Sequence, residues 1–290
     1  MNSSLFKKSQ FKLFCADIGC NPKDIESITD NIDAYYKEWT EPKPDKKNGG
    51  LKKYKDGTLK TRTIRPSSNK LKKIQRRIKD RILEPIKLPT HIHGGVKKRS
   101  NISNAKPHQG NKYQLTTDLQ SFFPNIKQDA VYNTFLKLGY SNHYSHWITK
   151  MTTWKYELPQ GTPTSTHLAN LVFLETDFRI IDFCNKNKIT YTRYVDDLTF
   201  SSPICFKHLI SELLSIILSS GFKISYRKTK YEGNQNITGI DVFNNYIDAP
   251  KRIIDKGVEE TLADKEFKPY TIYINNIRKT NSKKPAANIT

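Results

Sequence analysis

Between two runs of β-forming residues, 189–194 and 198–201, the chain places two adjacent carboxylates, Asp196 and Asp197. Both runs are rich in β-branched and aromatic residues and only a few positions separate them, so the stretch YTRYVDDLTFSS reads as an antiparallel hairpin with acids at its tip. A turn built only for shape favours Asn-Gly or Asp-Gly. Neighbouring like charges repel, and they are favoured where a cation sits between them and a further partner. The competing reading is a solvated acidic turn.

The rest of the chain supplies context for such a tip. Its 290 residues suffice for one large or two modest domains, and 36% hydrophobic with 11% aromatic residues allow a buried core. Forty-nine Lys and Arg face 28 acids, a net charge of +21. An excess of that size points to a polyanionic partner, nucleic acid ahead of a membrane surface. No run approaches the roughly 18 apolar residues that cross a bilayer. The N-terminus does not resemble a signal peptide. Cys15, Cys20, Cys184 and Cys205 lack zinc or redox spacing, and they are expected to be reduced thiols of a cytoplasmic protein.

Periodicity predicts a helix over 24–39 capped by Asp24. A polar, basic loop at 41–60 follows, with a hairpin at Asp56-Gly57, then a strand at 61–66 ended by Pro66. A basic helix over 68–84 places Leu71, Ile74, Ile78 and Ile82 on one face, with Lys72, Lys73, Arg76 and Arg77 elsewhere. A strand at 113–118 ends in Asp118, and helices are expected at 129–138 and 142–153. A Pro/Gly loop from 158 becomes a long helix to about 186. After the acidic hairpin come an amphipathic helix at 206–220 and strands at 222–226 and 236–243. Past 250 the pattern weakens, and the end reads as a flexible basic tail. Irregular alternation with antiparallel hairpins predicts an α+β fold.

If the strand ending in Asp118 neighbours the acidic hairpin, three carboxylates converge. Such a cluster stays ionised only by binding cations. Hard ions such as Mg²⁺ take oxygen ligands and keep positions open for phosphates. Two of them clamp the attacking and leaving oxygens of an in-line phosphoryl transfer. In a strongly basic chain this chemistry means polynucleotide synthesis or cleavage.

The flanking residues narrow the choice. DLQSFF carries Asp118 and, five positions on, Phe123; LPQG carries Gln160 and Gly161; YVDD carries Tyr194 and the acids. In this order and spacing they resemble the palm of a reverse transcriptase. Two further segments, Asn104-Ala105-Lys106-Pro107-His108 and Ile237-Thr238-Gly239, are similar to the NAxxH and VTG signatures of bacterial retron reverse transcriptases, with Ile in place of the first Val. The resemblance covers about 50–245.

The resemblance implies a right-hand polymerase with fingers, an antiparallel palm flanked by helices, and a small thumb. Residues 1–45 would be an N-terminal helical extension and 46–112 the fingers with the NAxxH segment. The palm would be 113–245, interleaved with finger elements, and 246–290 a short thumb and flexible tail. Asp118 and Asp196 would bridge two Mg²⁺ ions (Mn²⁺ being the alternative), supported by Asp197 and the Leu119 carbonyl. One ion would lower the pKa of the primer hydroxyl and the other would hold the triphosphate. Phe123 would crowd a 2′-hydroxyl, against a packing role beside Phe122. Gln160 and Gly161 would line the nucleotide pocket. Arg62 and Arg65 would grip the triphosphate, with Lys60 as substitute for either. Lys228, with Lys230 as competitor, would protonate pyrophosphate, against a simple backbone contact with nucleic acid. Asn104, His108 and Tyr194 would contact nucleic acid, His108 against a structural hydrogen-bonding role, and Thr238 and Gly239 would read RNA or shape the primer-gripping region. From its charge alone, the basic helix with Lys72 and Arg76 is expected to contact phosphates, against a solvated face.

By the same resemblance, a cognate structured noncoding RNA would serve as template and primer. Synthesis from a guanosine 2′-hydroxyl would use dNTPs and give branched, RNA-linked single-stranded DNA (msDNA). The complex would act in antiphage defence beside a toxic effector encoded nearby. The short segment after 245 departs from a typical thumb. No maturase or endonuclease pattern is visible, which argues against a group II intron enzyme; no RNase H pattern is visible either, so removal of the template RNA would need a host nuclease. The alternatives are another defence-associated reverse transcriptase, against which the two retron-type signatures argue, and a catalytically silent RNA-binding scaffold, against which the intact acids argue.

Overall fold

The computed structural model describes residues 3–45, 49–54, 56–264 and 266–281. In chain order the elements are α1 (Ser3–Ile18), α2 (Pro22–Asp30), β1 (Trp39–Pro42), β2 (Thr61–Ile64), α3 (Asn69–Ile78) and α4 (Asn101–Ala105). Then come β3 (Tyr113–Asp118), α5 (Phe122–Asn125), α6 (Gln128–Lys137), α7 (Asn142–Thr152) and α8 (Ser165–Lys186). The hairpin β4 (Thr190–Tyr194) and β5 (Asp197–Ser202) leads to α9 (Ile210–Ser219), β6 (Lys230–Glu232), β7 (Asn236–Ile237), β8 (Ile240–Val242) and β9 (Ile247–Asp248). Helices α10 (Lys251–Leu262) and α11 (Pro269–Arg278) follow. The fold is α+β, as expected. The chain divides into two discontinuous compact units, 1–87 with 121–172, and 88–120 with 173–290.

The first unit is mainly helical. The periodicity of α3 is realised: Leu71, Ile74 and Ile78 are buried, as is Ile82 in the wider helical turn Lys79–Leu83 that continues it. They pack with Phe14 and Ile18 of α1, Ile25 and Ile28 of α2, and Ile148 and Met151 of α7 to form the core. Gln75, fully buried on α3, is satisfied on every side. Its amide donates to Tyr36 Oη (3.0 Å) and the Met151 carbonyl (2.9 Å), and its oxygen accepts from Ser67 Oγ (2.7 Å). Such pairing removes the penalty of a buried polar group.

The helix expected over 24–39 is shorter than its sequence pattern. Pro22 opens α2 at the first helical position, where its missing N–H costs nothing. The cap is Asn21, whose Oδ1 accepts from the Lys23 N–H at 3.0 Å, not Asp24, which lies in the first turn. A 3₁₀ turn at Ile32–Tyr35 ends the segment, and β1 then pairs antiparallel with β2. The hairpin at Asp56-Gly57 is present: Tyr54 N–H donates to the Thr58 carbonyl at 2.8 Å.

The second unit holds a four-stranded antiparallel sheet in the order β4-β5-β3-β6 and a three-stranded one, β7-β8-β9. The expected strand at 222–226 is instead a single bridge between Ile224 and Leu119 followed by a 3₁₀ turn, Tyr226–Lys228. The expected strand at 236–243 is two strands. Thr238 and Gly239 both adopt left-handed φ, +48° and +86°, and fold the segment back on itself. Beyond 250, where the pattern weakens, α10 and α11 pack beside this small sheet. Ile237, Ile240, Val242, Ile247, Ile274 and Ile277 form its core with Ala105 and Ala249. The buried Glu260 of α10 accepts from the Tyr270 and Thr271 N–H groups (3.0 Å each), satisfying the otherwise unpaired first turn of α11. The expected tail beyond 281 lies outside the described residues.

His108 ties a short 3₁₀ turn to the larger sheet. Its ring is fully buried, with Nδ1 2.6 Å from Ser201 Oγ on β5 and Nε2 2.7 Å from Thr192 Oγ1 on β4. Burial, then His93, pushes its pKa down to about 3. The folded ring is therefore neutral, whereas the unfolded chain takes up a proton below pH ~6.5. Stability should fall as the pH drops from 6.5 toward 3, with about 2 kcal/mol lost to this residue by pH 5. Urea unfolding of wild type and His108→Asn between pH 7 and 5 checks this; equal pH slopes would sink the assignment.

Candidate active site

The hairpin β4–β5 pairs Tyr194 with Asp197, leaving Val195 and Asp196 as a two-residue turn. Val195 has φ +60°, a conformation that a β-branched residue adopts only when its surroundings impose it. The strain is of order 1–3 kcal/mol. Three contacts impose it. The Val195 carbonyl accepts from Arg193 Nη1 at 3.0 Å. The Asp196 carbonyl accepts from the Leu119 N–H at 2.9 Å. The third is Gly94, where an added Cβ would lie 2.5 Å from both the Val195 backbone nitrogen and its Cγ2.

Arg193 is itself fully buried. It makes a bidentate pair with Asp177 of α8, Nε to Oδ1 at 3.0 Å and Nη2 to Oδ2 at 2.6 Å. Tyr191 Oη also donates to Asp177 Oδ1 at 2.7 Å, and the guanidinium lies 4.8 Å from the Phe173 ring centroid. Burial favours the protonated acid, but Arg193 outweighs it and holds the Asp177 carboxyl below the usual carboxylate range. On the open side of β4, the Arg193 N–H donates to the His91 carbonyl and the His93 N–H to the Arg193 carbonyl, both at 2.8 Å. These bonds bring Gly94 against the turn.

Strand β3 lies beside β5 with Asp118 directly opposite Asp197. Opposed residues place their Cβ atoms about 4.5–5.5 Å apart, and like charges there repel. Burial, then Asp196, then Asp118 pushes the Asp197 pKa up to about 7, with Lys228 opposing. Lys228 Nζ reaches Asp118 Oδ2 at 2.5 Å. Its own burial disfavours the charge, but Asp118, then Asp197 and Asp196, outweigh it and raise its pKa. Among the described residues no three His, Cys, Asp or Glu side chains form a ready-made cage for an ion. The donor set nonetheless suits a hard cation. It consists of carboxylate oxygens only, crowded enough that one of them resists ionisation.

The other expected site residues fall in several places. Leu119 is buried after β3 and Tyr194 is half-buried at the end of β4. Lys230, the competitor of Lys228, is exposed on β6 opposite Thr116. Asn104 and His108 are fully buried, so the expectation that they touch nucleic acid is corrected. Asn104 Nδ2 donates to Thr238 Oγ1 (3.3 Å) and its carbonyl accepts from Thr192 Oγ1 (3.2 Å), while Asn101 Nδ2 donates to the Thr238 carbonyl (3.1 Å). The NAxxH-like and VTG-like segments thus clasp each other. Thr238 and Gly239 remain half-buried in the turn.

In the first unit, Phe123 is half-buried on α5 with its ring 5.8 Å from that of Phe122. The Gln160 carbonyl accepts from the Arg65 N–H at 2.8 Å, and Gly161 has φ +110°, which only glycine adopts readily. The expected triphosphate grip is not preformed. Arg65 is bound by Glu38 and Glu157, Arg62 by Glu41, and Lys60 lies over the Tyr54 ring. Lys72 is half-buried on α3, while Lys73, Arg76 and Arg77 are exposed.

Sequence reasoning missed Arg193, Asp177 and Gly94. The available signal was an arginine inside a strand of otherwise buried character. Its partner on α8 could not be read from local spacing.

A family model described as reverse transcriptase (RNA-dependent DNA polymerase) matches residues 43–242. The chain is 36% identical over 184 residues to the retron Ec86 reverse transcriptase of Escherichia coli, covering 62% of this chain and 58% of that one. It is 27% identical over 263 residues to the retron Se72 reverse transcriptase of Salmonella heidelberg, covering 89% and 65%. It is 30% identical over 232 residues to the retron Ec73 reverse transcriptase of Escherichia coli, covering 71% of each. The chain therefore spans less than two thirds of the first two relatives, 58% and 65%. Among the described residues, no helix is long and apolar enough to cross a membrane.

Removing one partner of a buried ion pair strands the other. Asp177→Ala should cost roughly 3–5 kcal/mol. Gly94→Ala, which overpacks the turn, should cost about 1–3 kcal/mol. Thermal or urea unfolding measures both; wild-type stability in Asp177→Ala would remove the pair from its supporting role.

Proposed function

Because the chain belongs to the retron reverse transcriptases, we propose that it is an RNA-directed DNA polymerase acting through Asp118, Asp196 and Asp197. The observation that carries this reading is the register of β3 against β5. It sets Asp118 opposite Asp197, with Asp196 in the adjoining turn. In this reading the three carboxylates hold two divalent cations, Mg²⁺ first. When bound, these supply Lewis acidity for nucleotidyl transfer.

The chain's own groups do the rest. The Arg193–Asp177 pair fixes the turn that aims Asp196. Lys228, now on Asp118, carries a proton within reach of the carboxylates and is assigned to the pyrophosphate leaving group. Phe123 is assigned to the sugar of the incoming nucleotide, where a ring would crowd a 2′-hydroxyl and favour dNTPs. Gln160 and Gly161 are assigned to the nucleotide pocket. Arg62 and Arg65 reach a triphosphate only by exchanging their carboxylate partners for it. The sheet β4-β5-β3-β6 is assigned to the palm, and α10 and α11 to a small thumb.

The net charge of +21 supports a nucleic-acid substrate. We extend the reading to a cognate structured RNA, primed from a guanosine 2′-hydroxyl, giving branched msDNA in antiphage defence with a toxic effector. Primer extension on an RNA template with Mg²⁺ and dNTPs should succeed with wild type. It should fall at least 10²–10³-fold in Asp197→Asn. Retained synthesis in that variant would refute the assignment of the carboxylates. DNA extracted after co-expression with the flanking genomic region should shift on a denaturing gel when treated with a 2′,5′-debranching enzyme. Unshifted DNA would leave the polymerase and remove the branched product.

A further inference from the structure

The loop between α7 and the LPQG segment contains a feature that the carboxylate site does not use. Lys155 and Tyr156 both adopt left-handed φ, +50° and +61°. A two-residue hairpin turn of this type is ordinarily built from Asn-Gly or Gly-Gly. Here two bulky side chains occupy it.

The surrounding bonds over-determine the strained conformation. Trp154 and Glu157 exchange backbone hydrogen bonds of 3.0 and 3.1 Å across the turn. The Tyr156 carbonyl accepts from the Gln128 N–H at 3.0 Å. The Trp154 ring stacks on Tyr36 (centroids 4.8 Å apart, 12° between planes), and its Nε1 donates to Asp33 Oδ1 at 2.6 Å. Arg65 and Lys127 hold the Glu157 carboxylate. All of this fixes a turn whose tip, Tyr156, is 80% exposed. Strain retained at such cost in so rigid a frame is a mark of function.

Tyr156 stands at the rim of a cleft of about 450 Å³, within the roughly 300–1,000 Å³ typical of ligand sites. Its walls include Gln128, His146, Lys150 and Lys155. Lys155 Nζ lies 4.4 Å from the Trp154 ring centroid and 3.2 Å from Glu38; an ammonium has three donors, and this side chain is half exposed. Asp33, the acid in the wall, is engaged by Trp154. The cleft therefore offers one free aromatic face, two ammonium groups and neutral polar groups, beside one carboxylate, Asp33, that is held by the Trp154 indole.

We propose that this cleft binds single-stranded nucleic acid, with a base stacked on Tyr156 and the adjoining phosphates on Lys150 and Lys155. An exposed aromatic platform flanked by ammonium groups is the recognition chemistry of unpaired strands, which present both a π-face and a phosphate at each step. The overall charge of +21 favours this occupant over an acidic peptide, which would use the ammonium groups but not require the rigid ring. The site does not depend on the polymerase assignment.

The test uses the full chain and a fluorescent oligouridine RNA carrying 5-iodouridine. Irradiation should cross-link the RNA to the peptide containing Tyr156. In anisotropy titrations Tyr156→Ala should weaken binding about fivefold or more, while Tyr156→Phe stays within about twofold of wild type. Because the ring is exposed, neither change threatens folding. Wild-type affinity in Tyr156→Ala, or cross-links that avoid this peptide, would overturn the proposal and leave the cleft to a protein partner. Primer extension by the same preparation separates the two readings. Extension without the cross-link defeats only this site, and the cross-link without extension defeats only the polymerase.

Discussion

The buried pair of Arg193 and Asp177 is the constraint on which the acidic turn depends. A charged guanidinium without solvent is tolerable only when every donor direction finds an acceptor. Here two directions go to the Asp177 carboxylate and a third to the Val195 carbonyl. That third bond transmits the rigidity of α8 to a turn whose backbone would otherwise relax. The acids can then be crowded together without drifting apart, because the peptide that carries Asp196 is held from beneath and from the side. Stability and site geometry share one set of contacts.

The electrostatics of the two units differ in kind. In the second, a few carboxylates are gathered against their mutual repulsion and a single lysine partly compensates. In the first, several cations (Arg62, Arg65, Lys155) are already paired with Glu41, Glu38 or Glu157. A phosphate reaching such an arginine replaces one anion with another. The net gain is then smaller than the formal charge suggests, and selectivity for a ligand of the right shape is greater.

Much of this was legible in the sequence where the pattern is local. The run at 113–118, the hairpin around the acids, the apolar face of α3 and the long helix after LPQG all follow from periodicity and turn chemistry. Misreadings arose where a tertiary partner decides. FKISY has strand composition, but its pairing stops at one bridge opposite Leu119, where the Ser225 N–H donates to the Asp118 carbonyl and the Gln120 N–H to the Lys223 carbonyl. NITGIDVF carries its own reversal, because Thr238 accepts a left-handed φ beside Gly239 and the chain turns where alternation alone would continue it. His108 looked like a ligand-binding histidine because its neighbours form a motif. Its burial depends on hydroxyls of β4 and β5 more than 80 positions away, Thr192 and Ser201. The support from Asp177 was illegible for the same reason.

The interleaving of the two units bears on how the chain acquires its shape during synthesis. The segments that complete the first unit have all been made by residue 172, whereas β3 is then still without either sheet neighbour, since β5 and β6 come later. A growing chain therefore exposes a bare strand, YQLTTD, on both edges until the β4–β5 hairpin emerges. Unpaired edges invite pairing with other chains. The tight two-residue connection lets that hairpin close locally and arrive as a preformed partner. The same turn that presents the acids thus shortens the interval in which the nascent protein is open to misassembly.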